Sequence, residues 1–395
     1  MDPAWYKALK MKSDALNGQP SASVEPAKIA IMATGQLPYL DGLRAISVLM
    51  VIVGHFGFGS IVPGGLGVTI FFFISGFLIT TLMLREARAF GHIAVGQFYI
   101  RRALRLQPEL WALLVMSGIG GALFGLRPSG LDFIGGFFYL TNYAEQGLLT
   151  GGLLPYMRWP QLWSLAVEEH YYLTFPLLFI AFFKTPHWLM RSLFVVLIAA
   201  LAVRIWYFAS GVSTDHIYAV TETRIDSIAF GCVGALLLWY MPERRLAFAV
   251  QYGRALLIVA LLILAASIAL RHPWFRDTFR YSVQGGALLL LFVGLFAGSN
   301  QSINVRLLEM PLLKWMGRMS YGAYLWHLEA GNVTAHLLHL PEVNEPSLYA
   351  AGMALLYVAV SFGIAFLSYT LLQRPVVALR HRFSPIAVRP VEPAK

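Results

Sequence analysis

Cysteine is almost absent. The 395 residues contain one, Cys232, in an apolar stretch with no partner, so a disulfide framework and a thiolate metal site are both excluded and a packing role is expected. Charge is also scarce: Asp, Glu, Lys and Arg make up 13% of the chain against 58% hydrophobic residues. With a mean hydropathy of +0.64, that balance excludes an ordinary soluble globular protein and points to a polytopic membrane protein. There is no dinucleotide fingerprint, no P-loop and no metal-ligand cluster, so no metal and no permanently bound cofactor is expected. Short-period repeats, low-complexity blocks and an appended soluble domain are missing as well.

The first 38 residues carry Lys7, Lys10, Lys12 and Lys28 but no uninterrupted apolar core ahead of a cleavage site, which reads as a retained polar tail and not a signal peptide. The net charge of +10 would suit nucleic acid, yet the basic residues lie between apolar runs and form no solvated domain. They read as topology signals instead.

Apolar runs of spanning length occur near 43–60, 66–84, 109–126, 162–183, 188–209, 223–241, 255–271, 281–298, 315–338 and 347–372. An eleventh stretch, 132–149, holds Asp132, Asn142, Glu145 and three glycines. Ten spans with both termini in the cytoplasm place 22 of the 30 Lys and Arg residues on inner segments. Counting the eleventh would invert everything after it. The expectation is therefore an all-α bundle of about ten transmembrane helices in the cytoplasmic membrane. It comprises a cytoplasmic tail at 1–37, a membrane domain at 38–377 with an external loop at 127–161, and a basic cytoplasmic tail at 378–395.

Within the first run, Arg44 and His55 stand eleven residues apart. At roughly 100° and about 1.5 Å per residue, both point into one groove about 16 Å apart along the axis. Ionisable residues inside spans are expensive, and function is their default reading.

The segment LDGLRAISVLMVIVGHFGFGSIVPGGLGVTIFFFISGFLIT (Leu40 to Thr81) is followed by FYIRRALRLQP (Phe98 to Pro108), WSLAVEEHYYL (Trp163 to Leu173), TRIDSIAFG (Thr223 to Gly231) and MSYGAYLWH (Met319 to His327). Together they resemble the family 3 membrane acyltransferases, which O-acylate surface polysaccharides, lipid-linked sugars and some secreted small molecules. The resemblance covers roughly residues 38 to 377. Two departures stand out: Gln373 occupies a place where the family usually has Glu, and His170 one where it often has Gln.

The resemblance implies acyl-CoA as donor substrate and a saccharide or glycolipid hydroxyl as acceptor. His55 titrates near neutrality and suits a general base, and no Ser or Cys nucleophile stands out, which favours direct transfer. Arg44, with Arg101, Arg102 and Arg105 on the inner loop, suits the donor's phosphates, because guanidinium forks match phosphate geometry. Glu168, which aligns with a family Glu, or its neighbour Glu169 is placed near the outer end of the fourth span, where either would orient His55. Arg224 and Asp226, two apart, face different neighbours and need separate partners; Arg224 is a substrate-binding candidate, with ion pairing to another span as the alternative. Trp163, Tyr171, Tyr172 and His327 are candidates for acceptor contact, with structural roles as the bland reading, and Gly64, Gly65, Gly67 and Gly76 permit close approach of the first two spans. The rival class is a transporter or flippase that uses Arg44, His55 and Glu168 as an intramembrane polar pathway. Acyl-chain identity, acceptor identity and oligomeric state are not legible in the chain.

Overall fold

The structure, a computed structural model, describes residues 37–123, 128–144, 158–297, 303–341 and 345–376, with 379 and 383. Apart from residues 37, 379 and 383, both proposed tails lie outside the described residues, as does most of the second half of the proposed external loop. Among the described residues every regular element is helical. In chain order they are α1 Leu40–His55, α2 Gly64–Phe90, α3 Val95–Leu123, α4 Gly130–Phe137, α5 Thr141–Ala144, α6 Leu162–Phe182, α7 Pro186–Ala209, α8 Thr214–Ala219 and α9 Thr221–Tyr240. The rest are α10 Glu243–Gln251, α11 Gly253–Ala269, α12 Pro273–Asp277, α13 Arg280–Ala297, α14 Ile303–Leu308, α15 Pro311–Leu337 and α16 Leu348–Ser368, which continues as a π turn through Gln373.

Each of the ten apolar runs has its own long helix, and the eleventh stretch does not. Its described residues hold only α4 and α5, and the eight residues of α4 rise about 12 Å, far short of a bilayer core. Length and hydropathy together mark α2, α7 and the helix running from Leu348 to Val376 as able to cross a membrane, and a bent pair, Thr214–Tyr240 with Glu243–Gln251 at 111°, is a fourth. The other long helices are shorter or more polar. One of them, α3, starts fourteen residues before its expected run: it takes in the whole FYIRRALRLQP segment and continues through Pro108.

Small residues set the packing around α1 and α2. An added Cβ on Gly64 would lie 3.6 Å from Val51, and one on Gly67 would lie 2.6 Å from the Ser47 carbonyl, so the two helices run antiparallel in close contact. Gly65 and Gly76 serve other neighbours, a difference from the sequence expectation: Gly65 supports the Tyr218 ring, and Gly76 lies against the Ile228 carbonyl of α9. Gly231 of α9 returns the contact onto the Phe73 carbonyl. Any side chain at Gly76 must displace backbone, so Gly76→Val is expected to destabilise the fold by about 1–3 kcal/mol, read as a lower thermal midpoint in detergent. The pair α1 and α15 is parallel, with Gly317 on Asp41 at one end and Gly331 on Phe56 at the other.

Candidate active site

The parallel contact of α1 and α15 forms a seam with Arg44 near one end and His55 at the other. At the Arg44 end a cavity of about 260 Å³ opens among α1, α2, α3, α6 and α15. Its polar lining includes Arg44, Glu86, Arg101, Arg102, Arg105 and Glu168, and its apolar wall includes Phe71, Phe72, Leu78, Ile79, Leu82 and Met83. The sequence thus brings the first-span arginine and the three arginines after the second span to one chamber.

Those arginines are not equivalent. Arg102 donates from Nε to Glu169 Oε1 at 2.8 Å, its Nη2 lies 2.6 Å from the same oxygen and 3.8 Å from Glu168, and it stacks 3.0 Å over the Tyr172 ring. Arg101 pairs with Glu86 at 3.3 Å and donates to the Phe383 carbonyl at 2.6 Å. Arg44 has only a loose pairing with Asp41, 3.9 Å away on its own helix, and Arg105 has no ion pair among the described residues. The charge available to an anion in this chamber therefore comes chiefly from Arg44 and Arg105.

Glu168 is not beside His55. It accepts from Ser75 Oγ and, at 3.1 Å, from the Tyr172 hydroxyl, and it lines the cavity. Ser75 lies eleven residues along α2 from Gly64, about 16 Å from the His55 level. The expectation failed because α6 begins deep in the bundle: Gln161, just before it, donates to the Leu325 carbonyl of α15 at 3.1 Å. Glu168 and Glu169 start from that depth and reach the Arg44 end.

His55 is the last residue of α1, exposed, and does not line the cavity. Its Nδ1 lies 2.8 Å from the Val51 carbonyl. A carbonyl only accepts, so Nδ1 carries the proton and Nε2 keeps its lone pair. The ring sits 5.0 Å from that of His327. His327 is fully buried and repeats the arrangement, with Nδ1 2.6 Å from the Tyr324 carbonyl and Nε2 without a partner. Tyr324 lines the cavity, and its hydroxyl lies 2.6 Å from Ser164 Oγ and donates to the Gln161 carbonyl at 2.9 Å. Tyr324, at the cavity wall, and His327 follow one another along α15, with His55 of α1 beside His327; the Tyr324–Ser164–Gln161 bonds lie on the chamber side of the paired imidazoles.

The remaining candidates fall elsewhere. Tyr171 is enclosed in the core, its hydroxyl 3.0 Å from Cys232 Sγ, so it offers no face to a sugar; Cys232 is the buried packing residue the sequence implied. Arg224 and Asp226 do point to separate partners. Asp226 forms a fully buried ion pair with Arg204 of α7 at 2.7 Å, whereas Arg224 donates to Thr69 on α2 and packs near Trp163. Arg204 went unassigned in the sequence beyond its presence inside a span, although a buried aspartate signals that a cation must be near. Ser75, Ser164 and Gln161 also escaped notice, as single polar residues give no periodic signal. Among the described residues no group of three or more His, Cys, Asp or Glu side chains could hold a metal ion.

Residues 37–372 match the acyltransferase domain of family 3. The chain is 30% identical over 363 residues to the peptidoglycan O-acetyltransferase OatA of Listeria monocytogenes, covering 86% of this chain and 56% of that protein. It is 30% identical over 308 residues to the O-acetyltransferase OatA of Staphylococcus aureus, covering 74% and 50% respectively. A putative O-acetyltransferase of Staphylococcus aureus strain COL is 30% identical over 306 residues, again 74% of this chain and 50% of the relative. The chain thus spans about half the length of the curated relatives it matches, and no solved structure matches it. With the Arg44 and His55 seam and the match extending over nearly the whole helical bundle, the chain belongs to the family 3 membrane acyltransferases.

Proposed function

We propose that the protein is an O-acyltransferase of the cytoplasmic membrane, with ten spans and both termini inside, that moves an acyl group from cytoplasmic acyl-CoA to a saccharide hydroxyl at the outer side. The observation that carries this reading is the order along one seam: free guanidinium charge, an apolar-walled chamber, then two imidazoles with unprotonated Nε2. Donor phosphates bind Arg44 and Arg105 at the inner mouth, and the pantetheine arm lies against Phe71, Phe72 and Leu78. The thioester meets His55 once Tyr324 releases Ser164. His55 Nε2 takes the acceptor hydroxyl's proton as its oxygen attacks the thioester carbonyl, and the CoA thiolate leaves with the C–S electron pair. The names of the relatives support O-acetyl transfer to a saccharide such as peptidoglycan.

Proteoliposomes given labelled acetyl-CoA at the inner mouth and a muropeptide outside are expected to yield O-acetylated product. Saccharide flux with no acylated product would establish the transporter reading instead. The unequal pairing of the arginines makes a further expectation. A charge-assisted hydrogen bond contributes about 1.5–3 kcal/mol, so Arg44→Ala and Arg105→Ala each raise the KM for acyl-CoA by roughly tenfold or more with little loss of thermal stability. Arg102→Ala, which strands Glu169, lowers the melting temperature. Equal KM effects for Arg101, Arg102, Arg44 and Arg105 in stably folded variants would contradict this division.

A further inference from the structure

A second cationic site lies outside the chamber. Arg224, fully buried near the start of α9, donates from Nη2 to Thr69 Oγ1 at 3.0 Å and from Nη1 to the Tyr218 carbonyl at 3.4 Å, while its Nε has no partner. Among the described residues no carboxylate pairs with it. Four rings surround it instead: Tyr281 at 3.9 Å, Tyr218 at 5.1 Å, Trp163 at 5.5 Å and Phe72 at 5.6 Å. A buried charge without a counter-charge is costly, and ring quadrupoles compensate only part of it.

The nearby carboxylates are already engaged. Asp226 is held by Arg204, Asp277 by Arg276 and Thr214, and Glu222 by the hydroxyls of Tyr143 and Tyr207. Arg280, next to Tyr281, is half-buried, has no ion pair among the described residues and leaves its Nε unpartnered. The Tyr218 ring lies 5.1 Å from the Arg224 guanidinium and 6.5 Å from the Tyr281 ring, and it rests on Gly65 in the first turn of α2. Gly64 of the same turn packs on Val51, one helical turn before His55.

We propose that Arg280, backed by buried Arg224, binds an anionic group, a carboxylate or a phosphate, of the acyl-accepting saccharide. Arg280 makes the contact. Arg224 is a positioning residue that fixes Tyr218 and Tyr281 and keeps the local potential positive. That the ligand is the acyl acceptor rests on the acyltransferase reading; the preference for an anion does not.

The test is equilibrium dialysis of the full-length protein in nanodiscs, without acyl donor, against labelled glucuronic acid, glucose 6-phosphate and glucose. At low salt at least one charged sugar is expected to bind tenfold or more tightly than glucose, with the preference shrinking as salt rises. Arg280→Gln removes it, and Arg224→Lys, which keeps the charge but loses the fork, weakens it. Should Arg224→Lys fail to fold, the half-exposed Arg280→Gln variant still decides. Equal affinity for all three sugars, full preference in Arg280→Gln, or inorganic phosphate binding as tightly as the charged sugars would overturn the proposal. A protein that shows the preference yet never transfers an acyl group would sink the acyltransferase reading alone.

Discussion

Alanine at His55 is expected to lower both acyl transfer and acyl-CoA hydrolysis by about 10²–10⁴-fold, the usual contribution of a positioned general base. The fold should survive, because the side chain ends α1, is exposed, and bonds only to a carbonyl of its own helix. On the proposed mechanism the lone pair left on Nε2 by that bond takes the acceptor's proton, so wild-type turnover should fall on acidification as the imidazole gains a second proton. Residual turnover in His55→Ala should lose that dependence. His327→Ala should cost less, about tenfold, since its buried ring packs against that of His55, 5.0 Å away, without bonding to it. Turnover in His55→Ala equal to wild type would remove the base from the mechanism.

The largest stability effect is expected at Asp226→Ala. That carboxylate shares a fully buried ion pair with Arg204, which also donates to the carbonyls of Thr278 and Thr223 and to Ser282 Oγ. Removing one partner leaves an unpaired buried charge, a loss of about 3–5 kcal/mol. Replacing both, as Arg204→Met with Asp226→Leu, should recover most of it because the desolvation cost disappears with the charges. Thermal unfolding in one detergent across the series is the measurement. A single variant as stable as the double would show that water reaches the pair.

Much of this architecture was legible because hydropathy reports long apolar helices: each apolar run became one long helix, and the described part of the 132–149 stretch holds only two short ones. The boundary of α3 was not legible. Its arginines and Pro108 read as a loop, yet the arginines face a chamber and the proline is accommodated within the helix. Helical geometry predicted one groove for Arg44 and His55, yet only Arg44 lines the chamber, because His55 ends α1 beyond it. Glu168 was misplaced because sequence gives the order of residues along a helix but not the depth at which the helix begins. Arg204 and Asp226 belong to different helices, and one chain carries no signal of which distant charges meet.

The reciprocal glycine contacts between α2 and α9 have a mechanical consequence. Gly76 is seated on one backbone carbonyl and Gly231 on another, so sliding either helix by half a turn would drive a side-chain-bearing residue into main chain. These two helices move as a single fixed wall. On the proposed mechanism, donor entry and product exit then fall to α3, which meets the chamber through Phe98, its three arginines and Leu106.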